Sequence, residues 1–179
     1  MSEAQLVYLS IGGNFEESHV LIKQAVSLLH SVAELNAIAT SSLYETSPFE
    51  VASTKTFFNL VCSFWTLLPP RLLFEKIEAI ENSLGKVPKP KSCDRPIDID
   101  ILFYGSRHYE DDCLSIPHPR WKERLFVLVP LLELASTIQI KQHKTIMKLD
   151  IQQMIDHLSK HTNDWANKIN EIGDNQCIA

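Results

Sequence analysis

Two aspartates alternate with three isoleucines in the segment 97–101, where Asp98 and Asp100 stand between Ile97, Ile99 and Ile101. Successive side chains of a β-strand point to opposite faces, so the alternation predicts a strand with buried isoleucines and both carboxylates on the other face. Two neighbouring carboxylates repel each other unless cations lie between them, and magnesium prefers oxygen ligands. The pair therefore predicts a metal site, although an isolated Asp-x-Asp is more often an ordinary polar strand face.

A second group of candidate residues lies in 116–124, which contains His118, Arg120, Lys122 and Arg124. The prolines around His118 favour extended backbone. Arginine and lysine neutralise charge on a transferring phosphoryl group, and a histidine can donate to a bridging oxygen. Such a cluster alone is more often a solvated basic loop. Combined with the two aspartates, it favours a polyphosphate site.

The elements that must position these residues can be predicted from hydrophobic periodicity and from turn residues. Gly12-Gly13 ends a first strand, and Asn14 with Glu17 has the spacing of a helix capping box. The predicted elements are a strand at 6–11, a helix from Asn14 to about His30, strands at 35–44 and 57–67, a helix from Pro69-Pro70 to Gly85, and a strand at 97–103.

This order is strand, helix, strand, strand, helix, strand, which is typical of a ferredoxin-like α+β fold with an antiparallel sheet and helices packed on one face. A chain of 179 residues with 45% hydrophobic residues predicts a single domain, 1–179.

After an irregular basic segment at 111–124, a third helix is expected to start at 130–134. Ile151, Met154, Ile155 and Leu158 predict one more, so 139–179 is expected to be a mainly helical extension.

Two loops are candidates for ligand contacts. Segment 45–56 contains Ser47-Pro48 and has no hydrophobic period, which is typical of a surface loop that carries function. Segment 86–94 contains two prolines and three lysines and almost nothing to bury. Such a segment cannot offset its own ordering entropy, so we expect a lid that is mobile without ligand.

Charge and cysteine content limit the function classes. Seventeen basic and 22 acidic side chains give a net charge of -5, which argues against a protein that coats nucleic acid. The four cysteines show neither a metal-ligand spacing nor a disulfide framework, so we expect reduced thiols. No apolar stretch approaches the roughly 20 residues of a membrane span, and we expect a soluble, cytoplasmic protein with no membrane partner.

Together, these motifs resemble the 6-hydroxymethyl-7,8-dihydropterin pyrophosphokinase family. Its hallmark is an Arg-x-x-Asp-x-Asp segment followed by a Pro-His segment that ends in Arg-x-Phe, and the matching stretches are 95–100 and 117–126. Four further stretches are similar to the same family: 9–14, 41–48, 57–59 and 78–86. The resemblance spans about 6–135.

The resemblance implies a magnesium-dependent enzyme of folate synthesis that transfers pyrophosphate from the co-substrate ATP to the hydroxymethyl group of 6-hydroxymethyl-7,8-dihydropterin and releases AMP. Other folate-pathway enzymes are possible partners. Asp98 and Asp100 would bind two Mg²⁺ ions, and Arg95, His118 and Arg124 would be catalytic. The ATP-binding residues implied are Glu81, Lys86, Lys89, Arg95, Ser115, His118, Arg120 and Arg124. Those implied for the pterin are Thr46, Ser47, Pro48, Phe49, Phe57, Asn59, Asp98 and Phe126, with Phe57 and Phe126 as flat walls.

Two other functions compete with this one. Another two-metal enzyme, such as a nucleotidyl or sugar-nucleotide transferase, could use the same pair of aspartates. A non-catalytic ferredoxin-like module could instead bind RNA or protein. Asp98 and Asp100 on the sheet would repel phosphates in the absence of metal, which disfavours RNA.

Overall fold

The computed structural model describes residues 3–49, 55–86, 94–142 and 145–169. A short 3-10 helix, Trp121–Glu123, precedes α3. In chain order the other elements are β1 (Gln5–Gly13), α1 (Ser18–Ser31), β2 (Leu35–Thr40), β3 (Tyr44–Thr46), β4 (Phe57–Thr66), α2 (Pro70–Ser83), β5 (Asp98–Tyr104), β6 (Tyr109–Glu110), β7 (Ser115–Ile116), α3 (Leu125–Leu134), β8 (Thr137–Gln142), β9 (Thr145–Asp150), α4 (Ile151–Leu158) and β10 (Ala166–Lys168).

One antiparallel sheet of six strands organises the fold, in the order β10-β3-β4-β1-β5, with β2 also paired to β4. The order of β5, β1, β4 and the β2/β3 pair confirms the ferredoxin-like α+β prediction. The predicted strand 35–44 is divided in two. The break falls at Ser41, whose backbone N–H donates to the Val61 carbonyl and whose Oγ accepts from the Val61 N–H. The side chain of Ser41 thus takes the place of a ladder carbonyl.

Helices cover both faces of the sheet, so the prediction of helices on one face is wrong. Helices α1 and α2 pack on the face that carries Ile97, Ile99 and Ile101. Helices α3 and α4 and strand β8 pack on the opposite face, against Val61 and Leu102. The alternation in β5 is as predicted, because the three isoleucines are buried in the first core while Asp98 and Asp100 project from the other face.

Asn14 does not cap the first helix, which begins at Ser18 without a side-chain cap. The Asn14 side chain is buried; Oδ1 accepts from the Arg95 N–H at 2.8 Å and Nδ2 donates to Asp94 Oδ1 at 2.6 Å. The capping-box prediction considers only residues that are close in sequence. Here the Asn14 amide finds its hydrogen-bond partners about 80 positions later in the chain instead. The limits predicted for α2 are confirmed by Pro70 at its first position and by Gly85 at φ +88°.

The chain after 124 differs most from expectation. Helix α3 begins at Leu125 rather than near Pro130, which lies inside it. An interior proline loses a ladder hydrogen bond and crowds the carbonyl four residues before it. Pro130 therefore costs this helix stability, which the burial of its neighbours Val127, Leu128 and Leu131 offsets. The described part of the extension, up to 169, contains the hairpin β8/β9, the helix α4 and the edge strand β10, and this part is not mainly helical. The segment 111–124, predicted as irregular, contains the short strand β7, which pairs with β6 just before the segment.

Within the described ranges, no helix is long and apolar enough to cross a membrane. Cys62 is a buried free thiol and Cys113 an exposed one. Cys93, Cys177 and most of the predicted lid, residues 87–93, lie outside the described residues.

Candidate active site

A row of paired residues crosses three strands at the end of the sheet. Gly12 of β1 pairs with Asn59 of β4 on one side and with Asp98 of β5 on the other, and Ser10 pairs with Asp100. Directly opposed residues of antiparallel strands point to the same face. A Cβ at Gly12 would overlap Asn59 Oδ1. The glycine therefore leaves room for an amide and two carboxylates to face one cleft.

The cleft encloses about 120 Å³. Its walls include the rings of Phe49, Phe57 and Phe126, and the lining as a whole includes most of the residues predicted from sequence. The full lining is Ser10, Gly12, Gly13, Thr46, Ser47, Phe49, Phe57, Asn59, Arg95, Asp98, Asp100, Arg124 and Phe126. Flat aromatic walls with a few polar groups suit a flat, polar heterocycle.

Each of the two carboxylates accepts hydrogen bonds from cationic side chains. Asp98 Oδ1 accepts from Lys86 Nζ at 2.7 Å, and its Oδ2 accepts from Arg95 Nη1 at 2.9 Å. Asp100 Oδ2 accepts from Arg124 Nη1 at 3.1 Å. Their exposed fractions are 32% and 35%, so both remain accessible from the cleft.

In the described part of the chain, no group of three His, Cys, Asp or Glu side chains gathers around a common point. A two-carboxylate donor set nevertheless fits magnesium, which is commonly bound by one or two carboxylates together with waters and substrate phosphates. The residues present therefore suit a metal that arrives with a polyphosphate rather than one held permanently by protein ligands.

Glu81 is buried on the inner side of β5 and does not line the cleft. Its Oε1 accepts from the Ile99 N–H and from Lys86 Nζ, both at 2.6 Å. Burial raises the pKa of Glu81, opposed by the ammonium of Lys86. Burial would lower the pKa of Lys86, but the charges of Asp98 and Glu81 outweigh it and the pKa is raised. Lys86 is thus a cation at neutral pH, and it connects the buried Glu81 with Asp98 in the cleft.

His118 lies beside Asp100, with Nε2 3.7 Å from Asp100 Oδ2. Its Nδ1 lies 3.2 Å from the Arg120 backbone N, and its Nε2 lies 3.3 Å from Arg124 Nη1, both of which are donors. A neutral imidazole accepts at one ring nitrogen only, so it accepts either from the Arg120 backbone or from Arg124. Burial lowers the pKa of His118; Asp100 opposes this shift and the nearby Arg124 and Arg120 add to it. The ring therefore favours its neutral form and lies beside Asp100 and Arg124.

Arg124 joins the aromatic wall to the carboxylates. Its guanidinium lies 5.4 Å from the centre of the Phe126 ring, within the range of a cation–π contact. Its Nε is buried and has no hydrogen-bond partner among the described residues. A buried donor left in this state is costly, so an anionic group that approached it would be stabilised.

The polar groups of the opposite wall are also held in place. Asn59 is buried in β4, and its Nδ2 donates to Thr46 Oγ1 at 2.8 Å. The rings of Phe49 and Phe126 meet edge to face at 5.8 Å. Asn59 is therefore fixed in orientation by its neighbour, beside a pair of aromatic rings.

A sequence model of the 7,8-dihydro-6-hydroxymethylpterin-pyrophosphokinase (HPPK) family matches residues 8–136. This is well over half of the chain, and it contains the whole cleft. The chain belongs to the HPPK family.

Curated HPPK relatives agree with the assignment. The chain is 36% identical over 134 residues to the 2-amino-4-hydroxy-6-hydroxymethyldihydropteridine pyrophosphokinase of Bacillus subtilis, covering 75% of this chain and 80% of that protein. It is 30% identical over 150 residues to the Haemophilus influenzae protein of the same name, covering 84% and 93%. A wild-type Plasmodium falciparum HPPK-DHPS structure superposes with a TM-score of 0.67 at 16% identity, over 90% of this chain and 45% of that one. That likeness supports the fold, and the chain spans less than half of the solved protein.

Within this HPPK chain, the cleft includes predicted residues and others that the sequence reasoning missed. Ser10, Gly12 and Gly13 line it but had been read only as the end of a strand; their place in the stretch 9–14, similar to the family, was the available signal. Six predicted residues are described but do not line the cleft: Pro48, Glu81, Lys86, Ser115, His118 and Arg120. Lys89 lies outside the described residues.

Proposed function

We propose that this chain transfers the β,γ-pyrophosphate of ATP to the hydroxymethyl group of 6-hydroxymethyl-7,8-dihydropterin, with Mg²⁺ bound at Asp98 and Asp100. The observation that carries the proposal is the row Asn59, Gly12, Asp98 across three strands. It brings a ring-binding amide and the carboxylates to neighbouring positions in a single cleft. The activity for which the HPPK family is named requires groups that bind a pterin and groups that bind the transferred pyrophosphate side by side.

The pterin is assigned to the aromatic end of the cleft. Phe57 and Phe126 offer flat apolar surface to a bicyclic ring, and the Asn59 amide offers both donor and acceptor groups to its edge. The backbone of 46–49 borders the same end. This assignment leaves the hydroxymethyl group directed toward Asp98 and Asp100.

The triphosphate is assigned to the cationic end. Arg124 contributes a buried Nε that has no hydrogen-bond partner among the described residues, His118 an imidazole ring, and Arg95 and Lys86 further charge. When bound, Mg²⁺ would supply charge neutralisation for the phosphate oxygens. Asp98 and Asp100 would hold it, and Lys86 and Arg95 would then be released from Asp98 to meet phosphate oxygens. Lys89 and the lid are assigned to ATP on the family resemblance alone.

The step itself is a displacement at the β-phosphorus. The pterin hydroxymethyl oxygen forms a bond to that phosphorus, the bond from the phosphorus to the α,β-bridging oxygen breaks, and AMP departs with the bond's electrons while the hydroxyl loses its proton. Arg124 and His118 would stabilise charge on the phosphoryl and bridging oxygens, because catalysis of phosphoryl transfer is mainly positioning and electrostatics.

Association with other enzymes of the pathway is also proposed. A Lactococcus lactis relative called bifunctional protein FolKE is 33% identical over 171 residues, and this chain covers 49% of its length. The Plasmodium falciparum HPPK-DHPS structures likewise join two activities in one chain by name. Fusion to a second activity is thus a recurring arrangement among proteins similar to this one.

The test of the function is product analysis. The purified chain is incubated with ATP, Mg²⁺ and 6-hydroxymethyl-7,8-dihydropterin, and the nucleotides are separated and quantified. Equal amounts of AMP and pterin diphosphate are expected, with no ADP. ADP with a pterin monophosphate would indicate a simple kinase. The proposal would be overturned by that result, and also if no AMP and no pterin diphosphate were formed. Guanosine in place of the pterin alcohol is the matched control and should yield no AMP.

A further inference from the structure

The two residues just before the edge strand β10, Asp164 and Trp165, are hydrogen-bonded to the loop assigned to the pterin. Ser47 and Trp165 exchange two hydrogen bonds: the Ser47 N–H donates to the Trp165 carbonyl at 3.1 Å, and the Trp165 N–H donates to Ser47 Oγ at 3.1 Å. Ser47 Oγ also donates to Asp164 Oδ1 at 3.3 Å. Residues 164–168 lie beyond the stretch that the family model matches, which ends at 136.

Strand β3 has only three residues and depends on both of its neighbours. It pairs with β4 on one side and with β10 on the other, where Thr46 faces Ala166 and Tyr44 faces Lys168. Without β10, β3 would be a three-residue edge strand with unpaired backbone groups. Thr46 at its end accepts the hydrogen bond that orients Asn59.

Side chains fasten the same edge to α3. Glu133 accepts from Tyr44 Oη at 2.7 Å, from the Ser42 N–H at 2.8 Å and from Lys168 Nζ at 3.0 Å. One carboxylate therefore ties β10, β3 and α3 together. The position of β10 is defined by side chains as well as by the strand ladder.

We propose that β10, with the two residues before it, is a positioning element for pterin recognition. The strand pairs with β3 and the two preceding residues hold Ser47, and together they fix Thr46, Asn59 and the backbone of 46–49 in their binding geometry. This inference rests on the proposed function for its choice of ligand. None of the β10 residues lines the cleft, so the strand acts through Ser47 and Thr46 and is not catalytic. The nucleotide end of the cleft lies on β5 and the segment after β7, and it should not depend on β10.

A pair of proline substitutions separates this role from general damage. Backbone hydrogen bonds join Ser47 to Trp165 and Leu43 to Ile169. Hydrogen-bonded and non-hydrogen-bonded pairs alternate along antiparallel strands. The pair of Asn167 with Glu45 is therefore hydrogen-bonded, and that of Ala166 with Thr46 is not. Asn167→Pro removes an N–H that faces β3, whereas Ala166→Pro removes one that faces away. Asn167→Pro should weaken binding of the pterin alcohol about five- to tenfold, which corresponds to the loss of one or two hydrogen bonds. The affinity for Mg-ATP should stay within about twofold of the wild type.

Ala166→Pro should leave both affinities near those of the wild type. Equal pterin affinity in the two proline variants, or an equal loss for both ligands in Asn167→Pro, would overturn the proposal. Asp164→Ala keeps the ladder and removes only the acceptor of Ser47 Oγ. Asp164→Ala should lower the affinity for the pterin alcohol about twofold and leave the affinity for Mg-ATP unchanged. This variant replaces Asn167→Pro in the test if the proline variant folds poorly. An unchanged pterin affinity in Asp164→Ala would count against the proposal.

A ligand-free measurement keeps this inference separate from the proposed function. Amide hydrogen exchange at Ser47 should be faster in Asn167→Pro than in Ala166→Pro, whatever the chain binds. If the wild type forms no AMP but the exchange differs as expected, the function is wrong and the positioning role of β10 stands. If AMP forms but exchange and pterin affinity are the same in both variants, the positioning role is wrong.

Discussion

The ammonium of Lys86 lies 2.7 Å from Oδ1 of Asp98, one of the two carboxylates proposed to bind Mg²⁺. Lys86 also lies 2.6 Å from the buried Glu81. The lysine thus neutralises two acids, one in the core and one in the cleft. Magnesium at Asp98 would replace one of these contacts and leave the other in place.

Lys86→Met should lower the free energy of unfolding by about 1–3 kcal/mol, because it leaves the buried Glu81 without its cation. Urea unfolding at pH 7 measures the loss. The matched double variant Glu81→Gln/Lys86→Met should recover part of it, since a neutral amide needs no cation. If the single and double variants are equally stable, the lysine is not compensating Glu81.

Gly12→Ala tests the packing that opens the cleft. A Cβ there would overlap Asn59 Oδ1, so the variant should lose about 1–3 kcal/mol of stability and should bind the pterin alcohol weakly. The double variant Gly12→Ala/Asn59→Ala removes the overlapping amide and should be more stable than Gly12→Ala alone. A Gly12→Ala protein with wild-type stability and pterin affinity would contradict the close approach.

Asn59→Ala should weaken pterin binding by about tenfold or more and leave Mg-ATP binding within about twofold. A site built to hydrogen-bond a ring loses those partners when the amide is removed. Calorimetric titration of each ligand separately measures both affinities. Ser63→Ala, another buried polar change on β4 but away from the cleft, is the control. Equal losses for both ligands would remove Asn59 from the assigned pterin end.

The pH dependence of stability should carry a contribution from Glu133. Burial opposes its ionisation, but hydrogen bonds from Tyr44, Ser42 and Lys168 outweigh this and lower the pKa of Glu133 to about 2. An unfolded glutamate has a pKa of about 4.3, so the contribution is complete above that pH and is lost as pH falls from about 4.3 toward 2. Glu133→Gln should be about 1–2 kcal/mol less stable at pH 7, discounted for partial exposure. The difference should vanish near pH 2 in urea unfolding; a constant difference would exclude Glu133 as the source.

Patterns of local periodicity predicted the central fold. The alternation around Asp98 and the prolines and glycine that bound α2 act within one strand or one helix, so they can be read from neighbouring residues. Asn14 and Ser41 were misread for the opposite reason, since their polar atoms are satisfied by residues distant in sequence. Pro130 shows the limit of a residue-type rule, because it is tolerated inside a helix whose apolar residues are buried.

The candidate site was predicted from residue types, and its electrostatics were not. Two repelling aspartates were expected to need metal, yet Lys86, Arg95 and Arg124 already neutralise them. Pairing across strands is decided by register, which no single segment encodes, so the role of Gly12 between Asn59 and Asp98 could not be read from its own neighbours. The contribution of β10 to the pterin end was hidden for the same reason.

The most direct test of the account measures AMP formation from ATP and the pterin alcohol by the wild type, Asp98→Asn and Asp100→Asn at saturating Mg²⁺. Each variant keeps the side-chain volume but weakens a proposed metal ligand, so turnover should fall by at least about a hundredfold. Thermal unfolding should show each variant folded, and the exposed Asp112→Asn should turn over like the wild type. The wild type should lose activity in excess chelator and recover it when Mg²⁺ is restored. Normal turnover by both variants, or wild-type activity that persists in chelator, would contradict the assignment of Asp98 and Asp100 as the magnesium site.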